Sequence, residues 1–309
     1  MLWRIFFCTS MASFTLSILN SLYINAPLSF SEAAALKFGK FSTPSSSMLD
    51  LPAAIIIGIV CGLLSAVFVY TNTTICQMRQ QVITTNFRKI SETLIFAALT
   101  SASFYLIVLL RVDNCRKHLD AEDLESEFQF YCPDNEYNPL ASLIFNTEGG
   151  TIRMLMRYPD IMLHLDSKDL VGSESQPNAN DHLIVVENMI LFLCVWYIFT
   201  IATYGIHVPA GLFLPGILVG CSIGILYLEL IRGFFGMTLQ QVGGQSYIII
   251  GASAMLSGYC RMTYSLAVIM LETTQSINLF LPIMISIMVS HAVARLFTRS
   301  LYDYALRAK

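Results

Sequence analysis

Charge is what this sequence has least of. Only 13% of its 309 residues are Asp, Glu, Lys or Arg, against 55% hydrophobic, and the mean hydropathy is +0.62. A large soluble helical protein needs a polar face on each helix, and these apolar runs lack one. What remains is the membrane class. Catalytic constellations are missing too: no nucleotide-binding fingerprint, no nucleophile elbow and no His/Cys cluster at metal-ligand spacing. His118, His164, His182, His207 and His291 are too dispersed for a ligand set. No enzymatic activity, metal, cofactor or nucleic-acid partner is expected. A secretory leader is also missing, because MLWRIFFCTSMASFTLSILNSLY holds one Arg and a long apolar stretch but no small-residue cleavage site. That start reads as a true span.

Apolar stretches, by contrast, are plentiful: about 5–22, 51–71, 92–110, 183–204, 211–231, 246–272 and 277–297. Most approach the roughly 20 residues that cross a bilayer. Two are interrupted, one by Gly251, Gly258 and Arg261, the other by the Gly205–Pro215 segment. The chain therefore reads as an all-α integral membrane protein with several spans. Its charges are segregated. Residues 79–89 carry three basic residues and no acid, and 295–309 carry Arg295, Arg299, Arg307 and Lys309 against one Asp. Residues 112–184 hold 14 of the 21 acids and five Lys or Arg. The positive-inside rule puts 79–89 and the C-terminus in the cytosol and makes 112–184 a long acidic loop on the other side. Five of the eight cysteines lie in apolar runs as small hydrophobes, whereas Cys115 and Cys132 share the acidic loop, where an oxidising compartment permits a disulfide.

The stretch HVPAGLFLPGILVG raises a sharper question, since Gly211 and Pro215 open an apolar run. A helix that starts inside a membrane leaves backbone N–H groups unpaired, and each costs several kcal/mol there. Pro215 suits a first turn because its missing N–H would be an orphan anyway, and Gly211 lets backbone approach closely. The N–H groups and the positive end of the helix dipole would then face a cavity and favour an anion. A kinked span, with Gly and Pro merely shaping the packing, explains the same residues.

YGIHVPAGLFLPGILVG resembles the GxFxP signature of the CLC chloride channel and transporter family. YIIIGASAMLSGYCRMTYSLAVIMLETT resembles that family's next block, and the terminal SLYDYAL its last membrane helix. LWRIFF and FGKF match earlier elements in the right order, and YNPLASLIFNTEGGTIRML matches a loop of the intracellular branch, which includes vacuolar, endosomal and lysosomal members. The resemblance implies a CLC-type fold of tilted, discontinuous helices. Residues 1–22 would be the last, interfacial helix of a first repeat, 23–50 a loop, and 51–309 the second of two inverted repeats, with no CBS domain in the chain. It implies chloride as ligand and substrate, with nitrate as a related anion. The amides of Gly211, Leu212 and Phe213 and the hydroxyl of Tyr302 would hold it.

Arg261 and Glu272 lie 11 residues apart, read here as two charges on one helix face, about 16 Å apart by helix rise and acting in packing or capping. The family's GSGIP and GKxGP motifs and its proton-relay Glu would fall upstream of Met1, so channel and proton-coupled exchange stay undivided. The expected function is anion transport as part of a voltage-gated chloride channel or chloride/proton antiporter. A truncated subunit that modulates a full-length family member is the alternative. Partners implied are membrane lipid and a second copy or a full-length relative, meeting through helices near 1–22 and 255–297.

Overall fold

In the computed structural model of the chain, the described residues are 2–24, 50–83, 85–112, 115–117, 128–133, 136–169, 179–208, 210–235, 244–274 and 277–301. They form ten α-helices: α1 (Leu2–Ile24), α2 (Asp50–Val82), α3 (Asn86–Leu109), α4 (Pro139–Phe145), α5 (Glu148–Asp169), α6 (Ala179–Thr203), α7 (Phe213–Phe235), α8 (Gly244–Cys260), α9 (Tyr264–Thr274) and α10 (Phe280–Phe297). A two-residue antiparallel ladder joins β1 (Arg116–Lys117) to β2 (Glu136–Tyr137). Five segments, in α2, α3, α6, α7 and Ile277–Phe297, are long and apolar enough to cross a membrane. The apolar run 246–272 is divided between α8 and α9, which are shorter.

The centre of the fold is α8. Every residue from Gly244 to Tyr259 is buried, with α2, α7 and α10 packed around it. Lipid tails are as apolar as leucine, so close backbone approach and polar contacts must hold such helices together. Both devices are present. Gly220 and Gly224 of α7 lie so near α8 that an added Cβ at Gly220 would come within 2.5 Å of the Gly251 carbonyl oxygen. Along α8 and α10, Ser257 Oγ donates to Ile287 O (3.1 Å), Ser290 Oγ donates to Ala254 O (2.6 Å), and the Ser253 and Ser286 hydroxyls meet at 3.2 Å.

The acidic segment 112–184 is more than the solvent loop that its charges suggest. It holds α4 and α5, and Ile152, Leu155, Met156 and Met162 of α5 are buried where α5 packs on α7 and α8. Asn138 starts α4 as its N-cap, its side-chain oxygen accepting from Leu140 N (3.0 Å) and Ala141 N (3.2 Å), with Pro139 in the first turn. A Cys115–Cys132 disulfide closes the ladder region in this structure.

Candidate anion site

The end of α6 at Thr203 turns through Tyr204–Val208, and residues 210–212 then lead into α7 at Phe213. Pro215 stands in the first turn, where a missing N–H costs nothing. Gly216 N donates to Leu212 O at 3.1 Å, closing that turn. The N–H groups ahead of it belong to the four that a helix leaves without intrahelical partners, and the summed peptide dipoles place about half a positive charge at this end. Leu212 is buried, while Ala210 and Gly211 are exposed.

A cavity of about 380 Å³ opens against this loop, with Gly211, Leu212 and Pro215 on one wall. Phe104 of α3 and Trp196 of α6, stacked 5.6 Å apart, form another. Among the described lining residues, Glu148 at the start of α5 is the only charged one. Partial burial there pushes the Glu148 carboxyl above the usual carboxylate range. Its ionised form opposes an anion at the α7 terminus, and its protonated form does not. Anion binding is therefore expected to be strongest at low pH and to weaken as pH rises through the elevated Glu148 pKa. Glu148→Gln should remove the part of that dependence that follows the Glu148 carboxyl, in a chloride titration followed by thermal unfolding.

Sequence reasoning assigned backbone freedom to Gly211, but the structure puts it at Gly205. Gly205 has φ +98°, and a Cβ there would collide with Cys76 Sγ, whereas a Cβ on Gly211 meets open space. Arg261 and Glu272 do not share a helix face. Arg261 lies in the break between α8 and α9 at φ +57°, and Glu272 is exposed on α9. The Arg261 guanidinium spans two helix ends: Nη2 donates to Ala294 O (2.9 Å), Thr298 O (2.8 Å) and Thr298 Oγ1 (3.1 Å), and Nε to Gly258 O (3.3 Å). Tyr302 lies outside the described residues.

Two groups escaped the sequence reading. One is Glu148, hidden among the acids of its segment. The other is the stripe Asn72, Cys76 and Arg79, whose spacing of four and three residues puts them on one face of α2. That polar stripe on an apolar helix was visible in the sequence as a signal.

Residues 1–295 match the family described as voltage gated chloride channel. The chain belongs to that family. Among curated relatives, the chain is 30% identical to "H(+)/Cl(-) exchange transporter 7" of Bos taurus over 97% of its own length and 34% of the relative's. It is 32% identical to "Chloride channel protein CLC-d" of Arabidopsis thaliana over 84% of its length and 31% of the relative's. It spans about a third of each of these relatives. In fold it is similar to the crystal structure of a slow cyanobacterial Cl-/H+ antiporter, with a TM-score of 0.54 at 14% identity, covering 90% of this chain and 51% of that one. The family and the helices together make it a multi-pass membrane protein.

Proposed function

We propose that this chain forms the anion-holding C-terminal part of a unit that moves chloride, or the related anion nitrate, across a membrane. The observation that carries the reading is the start of α7, where Gly211, Leu212 and Pro215 line a cavity and Gly211 is unobstructed. Backbone N–H groups from Gly211, Leu212 and Phe213 bind the anion, and the Tyr302 hydroxyl adds a neutral donor. Neutral donors suit transport because they stabilise an anion without trapping it as a full cation would. Similarity to proteins named as H(+)/Cl(-) exchange transporters supports proton-coupled exchange. The resemblance of the 137–155 segment supports an intracellular membrane, with the C-terminus on the cytosolic side by charge bias. Exposed apolar side chains on α1, α9 and α10, among them Phe7, Val268 and Met288, support assembly with a second copy or with a longer family member.

The test uses the purified chain in detergent, titrated with chloride against gluconate while thermal unfolding is followed. Chloride should raise the unfolding temperature. Gly211→Ala should leave the anion-free temperature unchanged, since its methyl meets open space, but weaken the chloride response about tenfold, or ~1.4 kcal/mol. Equal chloride responses in both proteins would sink the loop assignment. Chloride efflux from liposomes carrying the chain tests transport itself; binding without efflux would favour the modulatory-subunit role.

A further inference from the structure

The turn that feeds the anion loop is gripped from α2. Asn72 Nδ2 of α2 donates to Ile201 O (2.8 Å) and Tyr204 O (2.7 Å), and Arg79 Nη2 donates to Ala202 O (2.6 Å). These carbonyls belong to the last turn of α6 and the residue after it, where a helix has no partners of its own to offer. Arg79 Nε also pairs with Glu92 Oε1 of α3 at 2.9 Å. The second Glu92 oxygen, Oε2, is buried and has no hydrogen-bond partner among the described residues. Besides Arg79, whose Nη1 is likewise buried without a hydrogen-bond partner among the described residues, His207 Nδ1 on the turn itself stands 3.8 Å from that oxygen. That separation is too long for a hydrogen bond. A buried carboxylate oxygen facing an imidazole across such a gap has an unmet demand that one proton satisfies.

We propose that Glu92 and His207 are proton-linked positioning residues for the anion loop, with Arg79 anchoring Glu92. A proton taken up by His207 makes both ring nitrogens donors, and a charge-assisted bond to Glu92 Oε2 closes the gap to about 2.8 Å. Gly211 follows His207 by four residues, so the movement is delivered to the loop through a short stretch of chain. The new positive charge, four residues before Gly211 in the chain, also favours an anion at that loop. Both effects strengthen anion binding as pH falls, and by reciprocity a bound anion raises the proton affinity of His207. This inference rests on the anion role of the 211–213 loop.

The other titratable or charged groups around the pair are Cys76 and Arg79 from α2, Tyr204 on the turn and Cys260 at the end of α8. Burial pushes the Tyr204 phenol up, and thiols ordinarily titrate in the alkaline range, both away from the acidic range in which an imidazole ordinarily takes up a proton. Glu148, across the cavity, titrates in the same direction. It is removed by working in a Glu148→Gln background.

The experiment is the chloride titration of thermal unfolding on the full chain at about pH 5 and pH 8. In Glu148→Gln, the chloride midpoint should fall about fivefold on acidification. His207→Gln and Glu92→Gln, each added to that background, should abolish the pH dependence, and Arg79→Lys should retain it. A clamp that is structural alone would lower the unfolding temperature but leave the chloride midpoint's pH profile intact. Should Glu92→Gln fail to fold, the surface-exposed His207→Gln decides. A chloride response whose pH dependence survives His207→Gln, or is already absent in Glu148→Gln, overturns the proposal and leaves the loop reading standing. No chloride response in the wild-type chain at either pH overturns both.

Discussion

Gly251→Val is expected to leave no monodisperse folded chain in detergent. A Cβ on Gly251 would run into the Gly220 carbonyl oxygen and approach Gly224 N to 3.1 Å. From the opposite helix, a Cβ on Gly220 would reach Ala252 Cα at 2.6 Å, and one on Gly224 would reach Tyr247 O at 2.5 Å. All of these are backbone atoms, which cannot rotate aside as a flexible side chain can. The helices must separate, losing dispersion contacts over the whole α7–α8 interface for which lipid offers no compensating hydrophobic drive. The cost should exceed about 3 kcal/mol, beyond ordinary overpacking of a core that can relax. Gly233→Ala, on α7 but facing open space, is the control and should behave as wild type. Size-exclusion profiles and unfolding temperatures report both; a folded Gly251→Val chain of unchanged stability would refute the close crossing.

Arg261→Ala should lower the unfolding temperature by roughly 5 °C, the equivalent of about 3 kcal/mol. The guanidinium supplies donors to carbonyls at the ends of α8 and α10, and charged donors are worth more than neutral ones. Alanine removes these while keeping a side chain at φ +57°, a region that costs an L-residue of order 1–2 kcal/mol. Arg261→Gly loses the same hydrogen bonds but is at ease with that backbone, so it should be less damaging than alanine. An alanine variant as stable as the glycine variant would show that the strain is not there.

The spans and the early start of α7 were legible because their signals are local: long apolar runs, and Gly and Pro flanking a turn. The interruption of 246–272 by Gly258 and Arg261 was legible as an interruption, but its geometry was not. A helix-rise estimate between Arg261 and Glu272 assumed a continuous helix, and the left-handed residue at Arg261 ends that continuity. Helix α5 was overlooked because the acids around it dominate the composition of 112–184. Its buried Ile152, Leu155, Met156 and Met162 nevertheless recur at helical spacing. Arg79 entered the topology argument as a cytosolic charge, yet its side chain turns inward to Glu92 and the end of α6. Which of several basic residues face solvent is decided by tertiary packing, which no window of sequence contains. The walls of the cavity come from α3, α5, α6 and α7, which together span more than 100 residues of the chain, and only folding brings them together.

The glycine crossing has a mechanical consequence. With backbone against backbone and no side chain between them, α7 and α8 have no compliant layer in which to slide or rock, and they behave as one stiff post. The 210–212 loop stands at one end of that post. Any displacement that opens or closes the cavity must be absorbed on its other side, in the Tyr204–Val208 turn, where Gly205 supplies the backbone latitude for a hinge.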